Sequence, residues 1–115
     1  MMNLDQIRAA HALQHAANLD KGAVSKLPAL IINNGLLATT AFVLSDGGGD
    51  NRRVMLDALG RVAAHLQARG IIQPPAANAE QLMLRLTEAN SQTLQVATQE
   101  ALAYLGYLKR FARPA

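Results

Sequence analysis

Apolar positions recur along this chain at three- and four-residue intervals, the repeat of an α-helix, and no alternating run is long enough to suggest a strand. The pattern predicts a first helix over about Leu4–Leu19. Asn3 precedes it and Gln6 follows three residues on, the spacing of a capping box. Asp20-Lys21-Gly22 reads as a turn. A second helix is predicted from about Ser25 to Asn33, with Pro28 tolerated in its first turn. Asn33-Asn34-Gly35 then interrupts it, because Asn and Gly enter the left-handed region at little cost. Another helix runs Leu36–Leu44, unless the two pieces are one kinked helix.

Asp46-Gly47-Gly48-Gly49-Asp50 reads as a flexible loop, with Asp50 placed to cap a helix over about Asn51–Ala68 that ends at Arg69-Gly70. Gln73-Pro74-Pro75 is a connector. Asn78 with Gln81 repeats the capping-box spacing ahead of a short helix, about Ala79–Glu88. Asn90 or Ser91 caps the last helix, about Gln92–Ala112. No repeat, heptad array or low-complexity tract appears. The expected fold is all-α: a single compact, bundle-like domain over residues 1–115 with five to six helices.

Composition narrows the function classes. Half of the 115 residues are hydrophobic and 17% are charged, so the chain can bury a core and is not disordered as a whole. There is no cysteine, which excludes disulfide scaffolds, thiol nucleophiles and Cys-ligated metal or iron–sulfur centres. The first residues lack the basic start and apolar run of a signal peptide. Leu27–Leu44 is the most apolar stretch. Pro28, Asn33, Asn34, Gly35, Thr39 and Thr40 interrupt it, whereas a membrane span needs about 20 mostly apolar residues. A cytoplasmic protein with no membrane role is expected. The net charge of +3 permits an acidic or nucleic-acid partner without requiring one.

Helix faces follow from spacing at about 100° per residue. On the first helix Ile7, Ala10, Leu13 and Ala17 share a face that reads as core. Arg8, His11 and His15 line another. On the third long segment Met55, Leu59, Val62 and Leu66 form the apolar stripe, and Arg61, His65 and Arg69 a separate one. On the last helix Leu94, Ala97, Ala101, Leu105, Leu108 and Ala112 face the core, and Lys109, Arg110 and Arg113 crowd the C-terminal end. Basic stripes are commonly solvated faces or complements to a helix dipole, and Asp57 is spaced to pair with Arg61. They also have the form of a phosphate-contacting surface, which needs cationic donors but no base-reading side chains. Tyr104, Tyr107 and Phe111 recur at helical spacing, suited to packing against a helix or subunit and, less readily, to base stacking.

No catalytic grouping emerges. His11 and His15 have the spacing of a helical metal pair. Ala12 stands where the zinc-protease pattern needs Glu, and no third ligand is evident. The glycine-rich loop lacks the Gly-Lys-Ser/Thr ending of a phosphate loop. The carboxylates are scattered singly, with no paired acids and no Ser/His/Asp set. The residues therefore read as a non-enzymatic, mildly basic helical domain with no catalytic residue, metal or cofactor.

Three blocks carry a resemblance. They are Asn3-Leu-Asp-Gln-Ile-Arg8-Ala-Ala-His-Ala12; Lys26-Leu-Pro-Ala-Leu-Ile-Ile-Asn-Asn34-Gly35-Leu-Leu-Ala-Thr-Thr-Ala-Phe42-Val-Leu44; and Ala97-Thr-Gln-Glu100-Ala-Leu-Ala-Tyr-Leu-Gly-Tyr-Leu-Lys109-Arg110-Phe111-Ala112. The chain resembles the small helical subunit of the type III-B CRISPR effector, the Cmr RNA-interference complex. The resemblance covers about half the chain and carries no distinctive motif between Asp46 and Ala89. It implies an all-α, non-catalytic protein whose copies stack as a filament along the duplex of guide RNA and target RNA. That protein touches RNA backbone and contacts the other Cmr subunits, which hold the cleavage activity. Within the matched blocks it points to Lys26, Lys109 and Arg110 as RNA-binding residues, and to Arg8 as an RNA, structural or subunit contact. The stripe argument adds Arg61 and Arg69.

Two other readings fit the residues without the resemblance. One is a stand-alone helical protein-interaction module. The other is a helix-turn-helix DNA binder, for which Asn51-Arg52-Arg53 is a weak recognition-helix start behind a turn that is too long and too rich in glycine.

Overall fold

Asn3 begins the first helix as its spacing predicts. Its side chain accepts from Gln6 N while Gln6 Oε1 accepts from Asn3 N, both at 2.8 Å, closing the capping box of α1, Leu4–His15. The computed structural model describes residues 1–114. Five more α-helices follow among the described residues: α2 Lys21–Val24, α3 Leu27–Leu44, α4 Arg52–Ala68, α5 Ala79–Thr87 and α6 Ser91–Phe111. There is no strand among these residues. The only sheet-like pairing described is a parallel bridge between Asp20 and Arg113.

Side-chain caps set most of the helix starts. Asp20, Asn78 and Asn90 accept from Ala23 N, Gln81 N and Thr93 N, satisfying amides that a helix start leaves without partners. Two starts differ from expectation. Asp20-Lys21-Gly22 is not a bare turn, because the Asp20 cap draws the next residues into the single turn α2. Asp50 does not cap α4. With Gly48 and Gly49 at positive φ, the chain tightens into a 3-10 turn over Gly49–Asn51 and enters α4 from Asn51 without a side-chain cap.

The first helix ends at His15, four residues short of its predicted end, as the chain turns through Asn18 at φ 70°. α3 is the kinked single helix. Gly35 has φ 85° and ψ 164°, a region open almost only to glycine. Leu36 N, freed by the break, turns to Thr98 Oγ1 on α6 at 3.3 Å. α3 is long and apolar enough to cross a membrane, but Leu27, Ile31, Leu36, Thr39, Thr40 and Val43 face the domain interior. Its last carbonyls, of Val43 and Leu44, accept from the Arg52 guanidinium at 2.8 Å.

The core is built where α3, α4, α5 and α6 meet, around Leu59, Leu66, Leu82, Leu86, Leu105 and Leu108. The apolar stripes read on α4 and α6 are the buried faces. That of α1 is not: Ala10, Leu13 and Ala17 are exposed, Leu13 at 65%. α1 instead turns Arg8, His11, Ala12 and His15 toward α4 and α6, and Ala12 is its one fully buried residue.

Candidate functional site

Three helix faces converge in the interior on one carboxylate. Glu100 lies on α6 between Ala97 and Ala101 and is 6% exposed. Arg8 of α1 grips it in a fork, Nε to Oε2 and Nη2 to Oε1, both at 2.8 Å. Arg8 Nη1 also reaches Asp5 at 3.2 Å. From α4, His65 Nε2 lies 2.8 Å from Oε2, and Arg69 Nη1 lies 3.0 Å from Oε1 without hydrogen-bond alignment. Burial pushes the Glu100 carboxyl up, but the hydrogen bonds from Arg8 and His65 and the nearby guanidinium charges outweigh it and hold it at about 2. The Arg8 guanidinium is correspondingly held more firmly protonated by its hydrogen bond to Glu100.

The same seam carries a ring stack. His65 lies flat on Tyr104 of α6, with centroids 4.2 Å apart, and His11 stacks on His15 at 3.9 Å. His11 meets the edges of both His65 and Tyr104 at 5.2 Å. His11 Nδ1 and the Tyr104 hydroxyl are 2.7 Å apart, and His15 Nδ1 donates to the His11 carbonyl at 2.8 Å. Burial lowers His11 to about 4, helped by the charges of His15, His65 and Arg61. Burial also lowers His65, against the pull of Glu100. Burial raises Tyr104. His65 Nδ1 is buried with no partner, which assigns the neutral Nε2–H tautomer, since an unpaired N–H there would cost more than a bare nitrogen.

The two basic stripes thus face each other across α6. Arg8 and Arg69 share Glu100. Arg61 is half-buried and donates Nε to the His15 carbonyl at 3.2 Å, closing the C-terminal end of α1. Glu100 and Tyr104 were missed as the centre of this arrangement. The available signal was a carboxylate set within the apolar stripe of α6, between two alanines.

Lys26, Lys109 and Arg110 lie elsewhere and are exposed. Lys109 and Arg110 occupy the last turn of α6. Just beyond, the backbone of Arg113 donates to Leu19 O at 2.8 Å and accepts from Lys21 N at 2.7 Å. That pairing brings the basic end of α6 to the start of α2, and Lys26 follows where α2 hands over to α3. Among the described residues none of Lys21, Lys26, Lys109, Arg110 and Arg113 forms an ion pair. Tyr104 is fully buried, so the three aromatics of α6 do not make a stacking platform.

Among the described residues no group of three or more His, Asp or Glu is arranged to hold a metal ion. A groove of about 410 Å³ beside the α3 kink, lined by Asn34, Leu37, Leu94 and Thr98 among others, holds no titratable side chain. The arrangement consists of a hydrogen-bonded polar interior and a basic pole at one end.

Comparison with known proteins matches residues 4–114 to the family described as CRISPR-associated protein (Cas_Cmr5). No curated protein and no solved structure matches. The match spans nearly the whole helical domain, from the start of α1 to the segment that pairs with α2. The chain belongs to the Cmr5 family, the small-subunit type of the type III-B CRISPR complex.

Proposed function

We propose that this chain is the non-catalytic small subunit of a type III-B CRISPR ribonucleoprotein that acts in antiviral defence in the cytoplasm. In this reading copies of it stack as a filament beside the other Cmr subunits, along the duplex of guide RNA and target RNA. They touch RNA backbone and read no sequence. No cofactor takes part. The observation that carries the RNA contact is the basic pole: Lys109 and Arg110 exposed and unpaired at the end of α6, next to Lys21 and Arg113, with Lys26 beyond α2. Cations without acidic partners, spread over a surface with no aromatic platform, suit phosphate contact rather than base readout. Arg61, held through its Nε at the end of α1, is a separate candidate contact on α4. Arg8 and Arg69 serve the fold through Glu100.

The test is the Lys109→Ala/Arg110→Ala double variant in the assembled complex, scored by retention of guide–target duplex across a salt series. Loss of two phosphate contacts lowers the log–log salt slope by roughly 1.8, at about 0.9 per phosphate. The cost should be similar for every RNA sequence. Unchanged retention removes both residues from the RNA surface. Purification of the tagged chain with one unrelated protein and no RNA would favour a protein-interaction module instead.

A further inference from the structure

α1 is attached to the domain in an unusual way. Of its twelve residues only Ala12 is fully buried, and Leu4 and Leu13 point into solvent. A helix docked by an apolar face would bury several large side chains. α1 is held instead by polar and ring contacts. These are the Arg8–Glu100 fork, the His11–Tyr104 hydrogen bond, the His11–His15 stack against His65, and the bond from Arg61 to the His15 carbonyl.

Two of these contacts run through the His11 ring. The charged and titratable groups facing His11 are His15 and Arg8 on its own helix, Arg61, His65 and Arg69 on α4, and Glu100 and Tyr104 on α6. Glu100 is the buried anion of this seam among the described residues, and Arg8 and Arg69 already engage it, while Asp5 pairs with Arg8 from the exposed side. A proton on His11 therefore adds a cation beside Arg61 and His65 with no counter-charge left to meet it. It also leaves Nδ1 without a lone pair, so that it can only donate to the Tyr104 hydroxyl 2.7 Å away.

We infer that α1 is an acid-released latch: protonation of His11 lets α1 leave α4 and α6 while the leucine core of α3 to α6 stays folded. The hinge is the segment between α1 and α2, where Asn18 already has positive φ and Asp20 is fastened to Arg113. That fastening keeps α2 in place when α1 departs. The low proton affinity of buried His11 sets the range. The latch is closed above about pH 6.5, the ordinary histidine value, and opens as pH falls toward about 4.

The experiment is hydrogen exchange on the full chain, reported as amide protection factors for each helix at pH 7 and pH 5. If His11 titrates near 4 in the closed latch and near 6.5 in the open one, α1 protection falls about 20-fold between these pH values. Protection in α5 and α6 should hold nearly constant. His11→Gln keeps a hydrogen-bond partner for Tyr104 but cannot titrate, and should remove that component, about 20-fold. Three results overturn the inference: no pH-dependent loss in α1, equal loss in α1, α5 and α6, or the same loss in His11→Gln. Should the variant not fold, the comparison of α1 with α5 and α6 in the unaltered chain decides alone.

Discussion

His65 and Glu100 meet at 2.8 Å inside the domain, joining α4 to α6, and each is almost fully enclosed. Glu100 also receives the Arg8 fork, so one carboxylate ties three helices together. A buried ion pair is weak evidence of net stability, because desolvation opposes the attraction. Removing one partner is different, since it strands the others.

Glu100→Gln tests that difference. The amide keeps the shape but leaves Arg8 and Arg69 close together without the anion they share. The expected loss is about 3–5 kcal/mol of unfolding free energy, the range for breaking a buried pair. Urea titration should show a lower midpoint at unchanged slope. A midpoint within error of the unaltered chain would mean that Asp5 and solvent suffice for both arginines.

The pH dependence of global stability follows from the same groups. His11 is held near 4 against an ordinary 6.5, so the folded state binds fewer protons than the unfolded chain between those values. Its contribution is complete above about pH 6.5 and declines as pH falls toward 4. Glu100 is held near 2 against 4.5, so its contribution is complete above about pH 4.5 and declines as pH falls toward 2. Urea midpoints should be flat near neutrality and fall in two stages below it. Glu100→Gln should abolish the lower stage and spare the upper.

Much of this interior was legible in the sequence as pattern, though not as placement. Asn3, Asn78 and Asn90 announced their helices and each caps its own, but only Asn3 closes the full box: Gln81 Oε1 accepts from Ala77 N rather than Asn78 N, and Asn90 takes the cap that Ser91 also offered. The stripes on α4 and α6 were unambiguous because their apolar residues are large. α1 offered two plausible faces, Ile7-Ala10-Leu13-Ala17 and Arg8-His11-His15. The choice between them was made by Glu100, 92 residues from Arg8, so no local periodicity could reveal it. Two stripes that looked like surface cations turned inward for that reason. Lys109 and Arg110 stayed outside, and among the described residues neither forms an ion pair. Asp50 failed as a cap because two adjacent glycines at positive φ let the chain tighten before the helix began.

Glycines at two turns separate backbone strain from crowding. At Gly35 an added Cβ meets nothing within 4 Å, yet φ 85° with ψ 164° disfavours any other residue. Gly35→Ala should therefore cost about 1–3 kcal/mol through conformation alone. At Gly47 a Cβ would come within 2.5 Å of the Phe42 ring, but that ring is half exposed and can swing outward. Gly47→Ala should be the milder change. Thermal melts of the two variants check the order, and a larger loss at Gly47 would show that the Phe42 ring is fixed in place.

Arg8 and Lys109 should separate fold from binding, although both stood out in the sequence only as basic residues. Arg8 has 18% of its side chain exposed and its guanidinium fully engaged by Glu100 and Asp5. Arg8→Ala should remove about 3 kcal/mol of stability, because Glu100 loses its two-pronged partner while it stays buried. Lys109 is exposed and unpaired among the described residues, so Lys109→Ala should change stability by no more than about 0.5 kcal/mol. In the assembled complex the effects should reverse. At a temperature where both variants remain folded, Lys109→Ala lowers the salt slope of RNA retention by roughly 0.9 and Arg8→Ala leaves it unchanged. A reduced slope for Arg8→Ala would return that arginine to the RNA surface. A normal slope for Lys109→Ala would move the phosphate contact to Lys26 or Arg110.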